Sequence, residues 1–178
     1  MTHPTQVRAA RCGTLAPAFA LPDVARPADA PPVRLRAWRQ RRPVLLALLP
    51  AAADDQRLAW LRALAARRGE LEEALAVTLV IAEGERAAVA DLWRQADSPF
   101  PLLADADGAT LAAYLGADWA TQPPTLALVN RYNVLIATLP AASPDAAPDI
   151  DAALREFAYA EQEDCACTIP AWPPEDEP

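Results

Sequence analysis

Two short apolar runs constrain the fold of this chain more than any other feature. Residues 43–49 (PVLLALL) and 75–82 (LAVTLVIA) are almost entirely apolar, which is typical of strands buried on both faces. Between them, Leu58, Leu61 and Leu64 recur at helical spacing. A buried strand, an amphipathic helix and a second buried strand predict an α/β domain.

Charged residues and a glycine indicate where the intervening helix begins and ends. Asp54 or Asp55 is predicted to be its N-cap, Arg67 and Arg68 fall in its last turn, and Gly69 is predicted to end it. Acidic groups at the start and basic groups at the end both agree with the helix macrodipole.

The rest of the chain predicts further alternation of strands and helices. Two stretches before the first buried strand, 12–23 and 33–38, are predicted to be extended or to form short strands. The later elements are a helix at 85–96, a strand at 100–103, a helix at 109–115 capped by Asp107 and ended by Gly116, strands at 125–130 and 134–139, and a helix from Asp149 to about 162. The last two strands are separated by only three residues, so they are predicted to form an antiparallel hairpin. Right-handed crossovers then give a mixed sheet with helices on both sides.

The charge balance argues against nucleic acid as a partner. The net charge is −8 and the pI about 4.6, and such a surface repels phosphate backbones. Residues 36–42 (RAWRQRR) form the one basic cluster. This cluster is either a patch that binds an anion or partner, or a solvated loop before a strand.

No apolar stretch approaches the roughly 20 residues that a membrane-spanning helix needs. The first thirteen residues lack the apolar centre of a secretory signal. Three cysteines, an odd number, do not form a secreted disulfide framework. We therefore expect a soluble, cytoplasmic protein with one domain at 1–162 and an acidic, proline-rich tail at 163–178.

Four segments together resemble the peroxiredoxin and thiol-specific-antioxidant branch of the thioredoxin fold. They are 16–23 (APAFALPD), 42–50 (RPVLLALLP), 100–116 (FPLLADADGATLAAYLG) and 123–137 (PPTLALVNRYNVLIA). The resemblance covers roughly residues 12–157 and implies a three-layer fold with a mixed central sheet. It also implies that Pro124 follows a cis peptide bond beside the active site, and that the chain forms a homodimer. Neither a cofactor nor a resident metal is expected.

The resemblance fails at the reactive cysteine. In the family, the loop after the central strand places a cysteine in the first turn of the next helix, where the helix N-terminus stabilises its thiolate. Here the family's proline falls on Pro50, its threonine on or near Asp54, and its cysteine on or near Arg57. No cysteine lies between Cys12 and Cys165.

Two carboxylates could supply the missing negative charge at this helix start. Asp54 and Asp55 are expected to supply the negative charge that a thiolate would bring to the helix N-terminus. In structural terms, one of them would be the N-cap of the helix. Their functional alternative is a general base or one half of a metal site. A carboxylate cannot form a sulfenate, so peroxide reduction at this site is not expected.

Cys165 and Cys167 form a C-x-C in the tail, and three interpretations of it stay open. The two thiols could close a strained, oxidising disulfide, although the acidic residues just upstream disfavour a thiolate. Together with Cys12 and His3 they add up to a Cys₃His set of zinc-ligand types. They could also be packing residues or idle thiols.

These observations lead to two functional hypotheses. The first is a redoxin-like protein with a degenerate central site, in which thiol–disulfide chemistry is carried by Cys165 and Cys167. The second is a non-enzymatic module that holds an unknown protein partner in the groove around residues 50–57 and Pro124.

Overall fold

The computed structural model describes residues 9–50, 52–74, 76–143 and 146–166. The strands are β1 (Ala20–Leu21), β2 (Val33–Arg34), β3 (Val44–Leu49), β4 (Val77–Glu83), β5 (Leu102–Asp105), β6 (Thr125–Val129) and β7 (Leu135–Pro140). The helices are α1 (Asp54–Ala66), α2 (Arg68–Glu73), α3 (Arg86–Ala96), α4 (Ala109–Leu115) and α5 (Ile150–Ala166), with 3-10 turns at Leu35–Trp38 and Trp119–Thr121.

The central sheet has five strands in the order β5-β4-β3-β6-β7. The neighbours β3, β4 and β5 are parallel, whereas β6 runs antiparallel to β3, and β7 runs antiparallel to β6. The predicted mixed sheet and the predicted hairpin are therefore confirmed. Strands β1 and β2 pair only with each other.

The sheet is covered on both faces, which gives the expected three layers. Alternate residues of β3 point to opposite sides: Leu45 and Leu49 pack in one core with α1, α3 and α5. Leu46 and Leu48 pack in the other core with α4, the N-terminal segment and the first 3-10 turn. All six residues of β3 are buried, as the uninterrupted apolar run predicted.

The predicted end of the first long helix is wrong. Helix α1 ends at Ala66, and Gly69 lies inside the short helix α2 that follows at once. Leu71 of α2 is 1 % exposed. Burial of this leucine offsets the roughly 1 kcal/mol that a helical glycine costs relative to alanine, so the chain stays helical past Gly69.

The predictions for the last helix are partly confirmed. Asp149 does cap its start, since the Asp149 carboxylate accepts the main-chain N–H of Ala152 at 2.9 Å. The helix continues to Ala166, four residues beyond the expected end at 162. Within the described residues, no helix combines the length and apolarity needed to cross a membrane.

Candidate functional site

The carboxyl end of the central strands is the region where the missing thiol was expected. Strands β3 and β4 are parallel, and Leu49 is the register partner of Ala82. The next residue of each strand path, Pro50 and Glu83, therefore lies at the same edge of the sheet. Leu48 pairs with Thr125 on the other side, which brings Pro124 to this edge as well.

One charged side chain buried at this edge is Arg57. It lies in the first turns of α1 and is only 8 % exposed. Its Nε and Nη2 donate to the carbonyl of Pro50 at 3.3 and 3.1 Å, and its Nη1 donates to the carbonyl of Glu83 at 3.2 Å. Its Nη2 also forms an ion pair with the Glu83 carboxylate at 3.0 Å.

These contacts define what Arg57 can do. A guanidinium has five N–H donors and no acceptor, and every one of its three nitrogens already donates to a group of the protein. The side chain therefore ties the start of α1 to the ends of β3 and β4. It offers neither a nucleophile nor an unoccupied proton acceptor to a substrate.

Asp54 and Asp55 are placed differently from the expectation. The N-cap of α1 is Ala53, and neither aspartate caps the helix. Both side chains are exposed in the first turn, where Asp55 accepts the N–H of Gln56 at 3.0 Å. They still bring negative charge to the positive end of the helix dipole. They do not occupy the buried position, because Arg57 fills it.

The expectation of a cis bond before Pro124 is wrong, because that peptide bond is trans. The 3-10 turn Trp119–Thr121 leads into an extended Gln122. The backbone is therefore already extended at Gln122, before β6 begins. The hydroxyl of Thr125 donates to the Pro123 carbonyl at 3.0 Å, and the Pro124 carbonyl accepts the N–H of Ala141 at 2.8 Å. These bonds hold the turn with a trans proline.

A buried acid, Asp105, ends β5 at the same edge of the sheet and is 1 % exposed. Its carboxylate accepts the main-chain N–H of Leu111 at 2.8 Å and of Thr110 at 3.3 Å, at the start of α4. Burial raises the pKa of Asp105, and the two amide donors offset part of this effect. The predicted cap at Asp107 is wrong: the N-cap of α4 is Gly108, and the Asp107 carboxylate, one residue earlier, accepts the N–H of Ala109 at 3.1 Å.

The cysteines are not brought to this edge by any described contact. Cys12 is an exposed free thiol. The backbone at Cys165 belongs to α5, whereas Cys167 and His3 lie outside the described residues. Among the residues that the structure describes, no three histidine, cysteine or acidic side chains form a metal-binding group. The proposed zinc set and the proposed disulfide stay predictions.

Sequence reasoning missed Glu83, the partner of Arg57. The available signal was its position, a lone acid closing the otherwise apolar run of β4. In a parallel pair the carboxyl ends of both strands meet at one edge. An acid at the carboxyl end of β4, such as Glu83, therefore lies near the start of α1, the helix that follows β3.

The five-stranded mixed sheet between two helical layers is a thioredoxin-like, peroxiredoxin-type α/β fold. The structure is similar to that of peroxidoxin BcpB from Mycobacterium tuberculosis, with a TM-score of 0.67 and 21% identity over 83% of this chain and 96% of that one. It is also similar to the thiol peroxidase from Chromobacterium violaceum, with a TM-score of 0.66 and 20% identity over 90% and 93% of the two chains.

A third similar structure is the reduced 2-Cys peroxiredoxin of Plasmodium vivax. Its TM-score is 0.69 at 15% identity, covering 90% of this chain and 88% of that one. No protein-family model and no curated protein matches the sequence. At these identities, the likeness establishes the fold.

Proposed function

We propose that this chain is a redoxin-like protein without peroxidase activity, in which the Arg57–Glu83 pair replaces the peroxidatic thiol. The observation that carries the proposal is that the Arg57 guanidinium is buried and donates hydrogen bonds to the carbonyl of Pro50 and to the carbonyl and carboxylate of Glu83. Peroxide reduction of this type needs a thiolate that attacks the O–O bond and becomes a sulfenic acid. A guanidinium and a carboxylate cannot take that role.

Thiol–disulfide exchange, in this proposal, is carried by Cys165 and Cys167. Their oxidation to an intramolecular disulfide releases two electrons and two protons, and a substrate disulfide that accepts them becomes two thiols. A ring closed by cysteines two positions apart is strained, and strained disulfides are the more oxidising ones. The similarity of fold to a thiol peroxidase and to peroxiredoxins supports a redox role of this general kind.

Two measurements on the full-length chain test the proposal. Peroxide consumption is expected to stay at the level of a protein-free control, measured beside an active peroxiredoxin. Thiol titration is expected to count three thiols after reduction and one after mild oxidation, because the chain has three cysteines and the proposed pair uses two.

Matched variants assign the thiols. Cys12→Ser should keep the loss of two thiols on oxidation, whereas Cys165→Ser should abolish it. Peroxide turnover at the rate of the reference enzyme would contradict the account of the central site. A thiol count that does not change on oxidation would contradict the redox role of the tail.

The second candidate is a non-enzymatic binding module, which is the expected function if the thiols do not cycle. The central groove itself offers little surface, since Pro50, Arg57 and Pro124 are buried. The exposed arginines of the basic cluster at 36–42 favour this candidate, because an acidic protein segment can pair with them. Homodimer formation also stays a proposal, and light scattering of the eluted protein would test it.

A further inference from the structure

A groove lined by arginines lies on the N-terminal part of the fold. It is formed by Arg26, by β2 and by the segment between β2 and β3, which includes the 3-10 turn Leu35–Trp38, and its volume is about 550 Å³. The N–H of Gln40 in this segment donates to the carbonyl of Arg131, in the turn between β6 and β7. This contact places the groove beside the amino end of β3.

The groove concentrates positive charge in a chain of net charge −8. Five arginines line it: Arg26, Arg34, Arg36, Arg39 and Arg41. All five are exposed. Among the residues that the structure describes, no acidic side chain lines the groove, and none of the five arginines forms an ion pair. Like charges held together without counter-charges favour an anionic occupant.

The walls of the groove are not only basic. Val33 and Trp38 also line it, and Trp38 is partly exposed. A guanidinium binds carboxylates in a bidentate manner and stacks on aromatic rings. An occupant that presents carboxylates beside apolar side chains therefore fits the groove better than a small, fully hydrated anion does.

The chain itself contains a segment of this composition. Residues 167–178 (CTIPAWPPEDEP) include Trp172, followed by Glu175, Asp176 and Glu177, and no basic residue. The six residues from the end of α5 to Trp172 span up to about 20 Å when extended, and the whole segment to Pro178 spans up to about 40 Å. Binding within the same chain therefore requires that Trp38 lies within about 20 Å of the end of α5.

We propose that the acidic segment 172–178 binds in the arginine-lined groove of the same chain, with Glu175, Asp176 and Glu177 against the guanidinium groups and Trp172 beside Trp38. The tether keeps the local concentration of the segment high, so contacts that are individually weak suffice for occupancy. Neither Arg57 nor Glu83 lines the groove, and the exchange and anisotropy measurements below detect binding of the segment whether or not Cys165 and Cys167 cycle, so failure of this proposal is distinguishable from failure of the proposed redox role.

Hydrogen–deuterium exchange of the full-length chain tests the proposal directly. Neutralising the segment with Glu175→Gln, Asp176→Asn and Glu177→Gln should speed main-chain exchange in residues 33–42 by about tenfold. The control Glu73→Gln, Asp118→Asn and Glu156→Gln removes the same three charges from exposed sites elsewhere. It should leave residues 33–42 unchanged.

A synthetic peptide of residues 167–178, with Cys167→Ser and a fluorophore, provides a second measurement. By anisotropy it should bind the full-length chain with the neutralised segment, whose groove is free. Adding Arg36→Ala, Arg39→Ala and Arg41→Ala should weaken binding about tenfold. The control set Arg62→Ala, Arg94→Ala and Arg155→Ala removes three exposed arginines elsewhere and should weaken it far less.

Four results would overturn the proposal. Equal exchange of residues 33–42 in the natural and neutralised chains would do so, as would equally tight binding of a peptide with the same residues in scrambled order. Protection that appears only at protein concentrations where copies associate would assign the contact to a second copy. Protection of residues 33–42 by inorganic triphosphate, without dependence on the segment's charges, would assign the groove to a phosphate ligand.

Discussion

Replacing Arg57 with methionine tests whether the buried guanidinium holds the site together. Methionine keeps a long apolar stem but removes all the donors that reach Pro50 and Glu83. A buried carbonyl left without a donor costs about 1–3 kcal/mol. The Glu83 side chain is 33% exposed, so water compensates part of the loss of its ion pair, which is then worth about 1 kcal/mol.

Together these contributions predict that Arg57→Met lowers the free energy of unfolding by about 3 kcal/mol. For a chain of this length, that corresponds to a fall in Tm of about 6–12 °C. Urea unfolding followed by circular dichroism measures the change, and an unchanged m-value would show that the unfolded state is not altered.

The matched control is Arg62→Met, on the same helix but exposed, where a single bond of 3.4 Å joins Nη2 to the carbonyl of Gln95. It should cost less than about 0.5 kcal/mol. Glu83→Gln should cost less than Arg57→Met, because the amide oxygen still accepts a hydrogen bond. If Arg57→Met and Arg62→Met destabilise equally, the guanidinium does not hold the ends of the two strands.

Three further predictions concern the rest of the fold. Gly108 has a φ of +67°, and a Cβ there would overlap the Trp119 ring, so Gly108→Ala should lower the free energy of unfolding by at least about 2 kcal/mol. Gly69 lies in a helix with open space around it, so Gly69→Ala should raise the free energy of unfolding, measured in urea, by about 0.5–1 kcal/mol. The folded-state pKa of Asp105 is raised, so the stability that Asp105 contributes is present below its ordinary pKa of 3.8 and is lost as pH rises through the folded-state pKa. The free energy of unfolding of the natural chain, relative to that of Asp105→Asn, should therefore fall between pH 3.5 and pH 7. A relative stability that rises over this range would contradict the burial argument. Tyr114→Phe removes one hydrogen bond of 2.9 Å from a buried ring and should cost about 1 kcal/mol, and no change in the urea midpoint would show that this bond does not stabilise the fold.

The sequence by itself determined the strand–helix order and the hairpin. The runs at 43–49 and 75–82 form β3 and β4. Successive side chains of a strand point to opposite faces, so a continuous apolar run is buried when the sheet is covered on both faces. The three residues after Asn130 left no room for a crossover, which fixed β6 and β7 as antiparallel neighbours. These features depend on residues close in sequence, so local patterns contain the information.

Only the tertiary structure decided the chemistry of the central edge. Arg57 and Glu83 are 26 residues apart, and the position of Glu83 at the end of an apolar run identifies Arg57 as its partner only once β3 and β4 are known to be parallel neighbours. The aspartates at the start of α1 looked like the natural charge for that position, yet they are exposed and the guanidinium is buried. The parallel pairing of β3 and β4 brings the carbonyl of Pro50 and the acid of Glu83 to one edge, where the guanidinium of Arg57 contacts both.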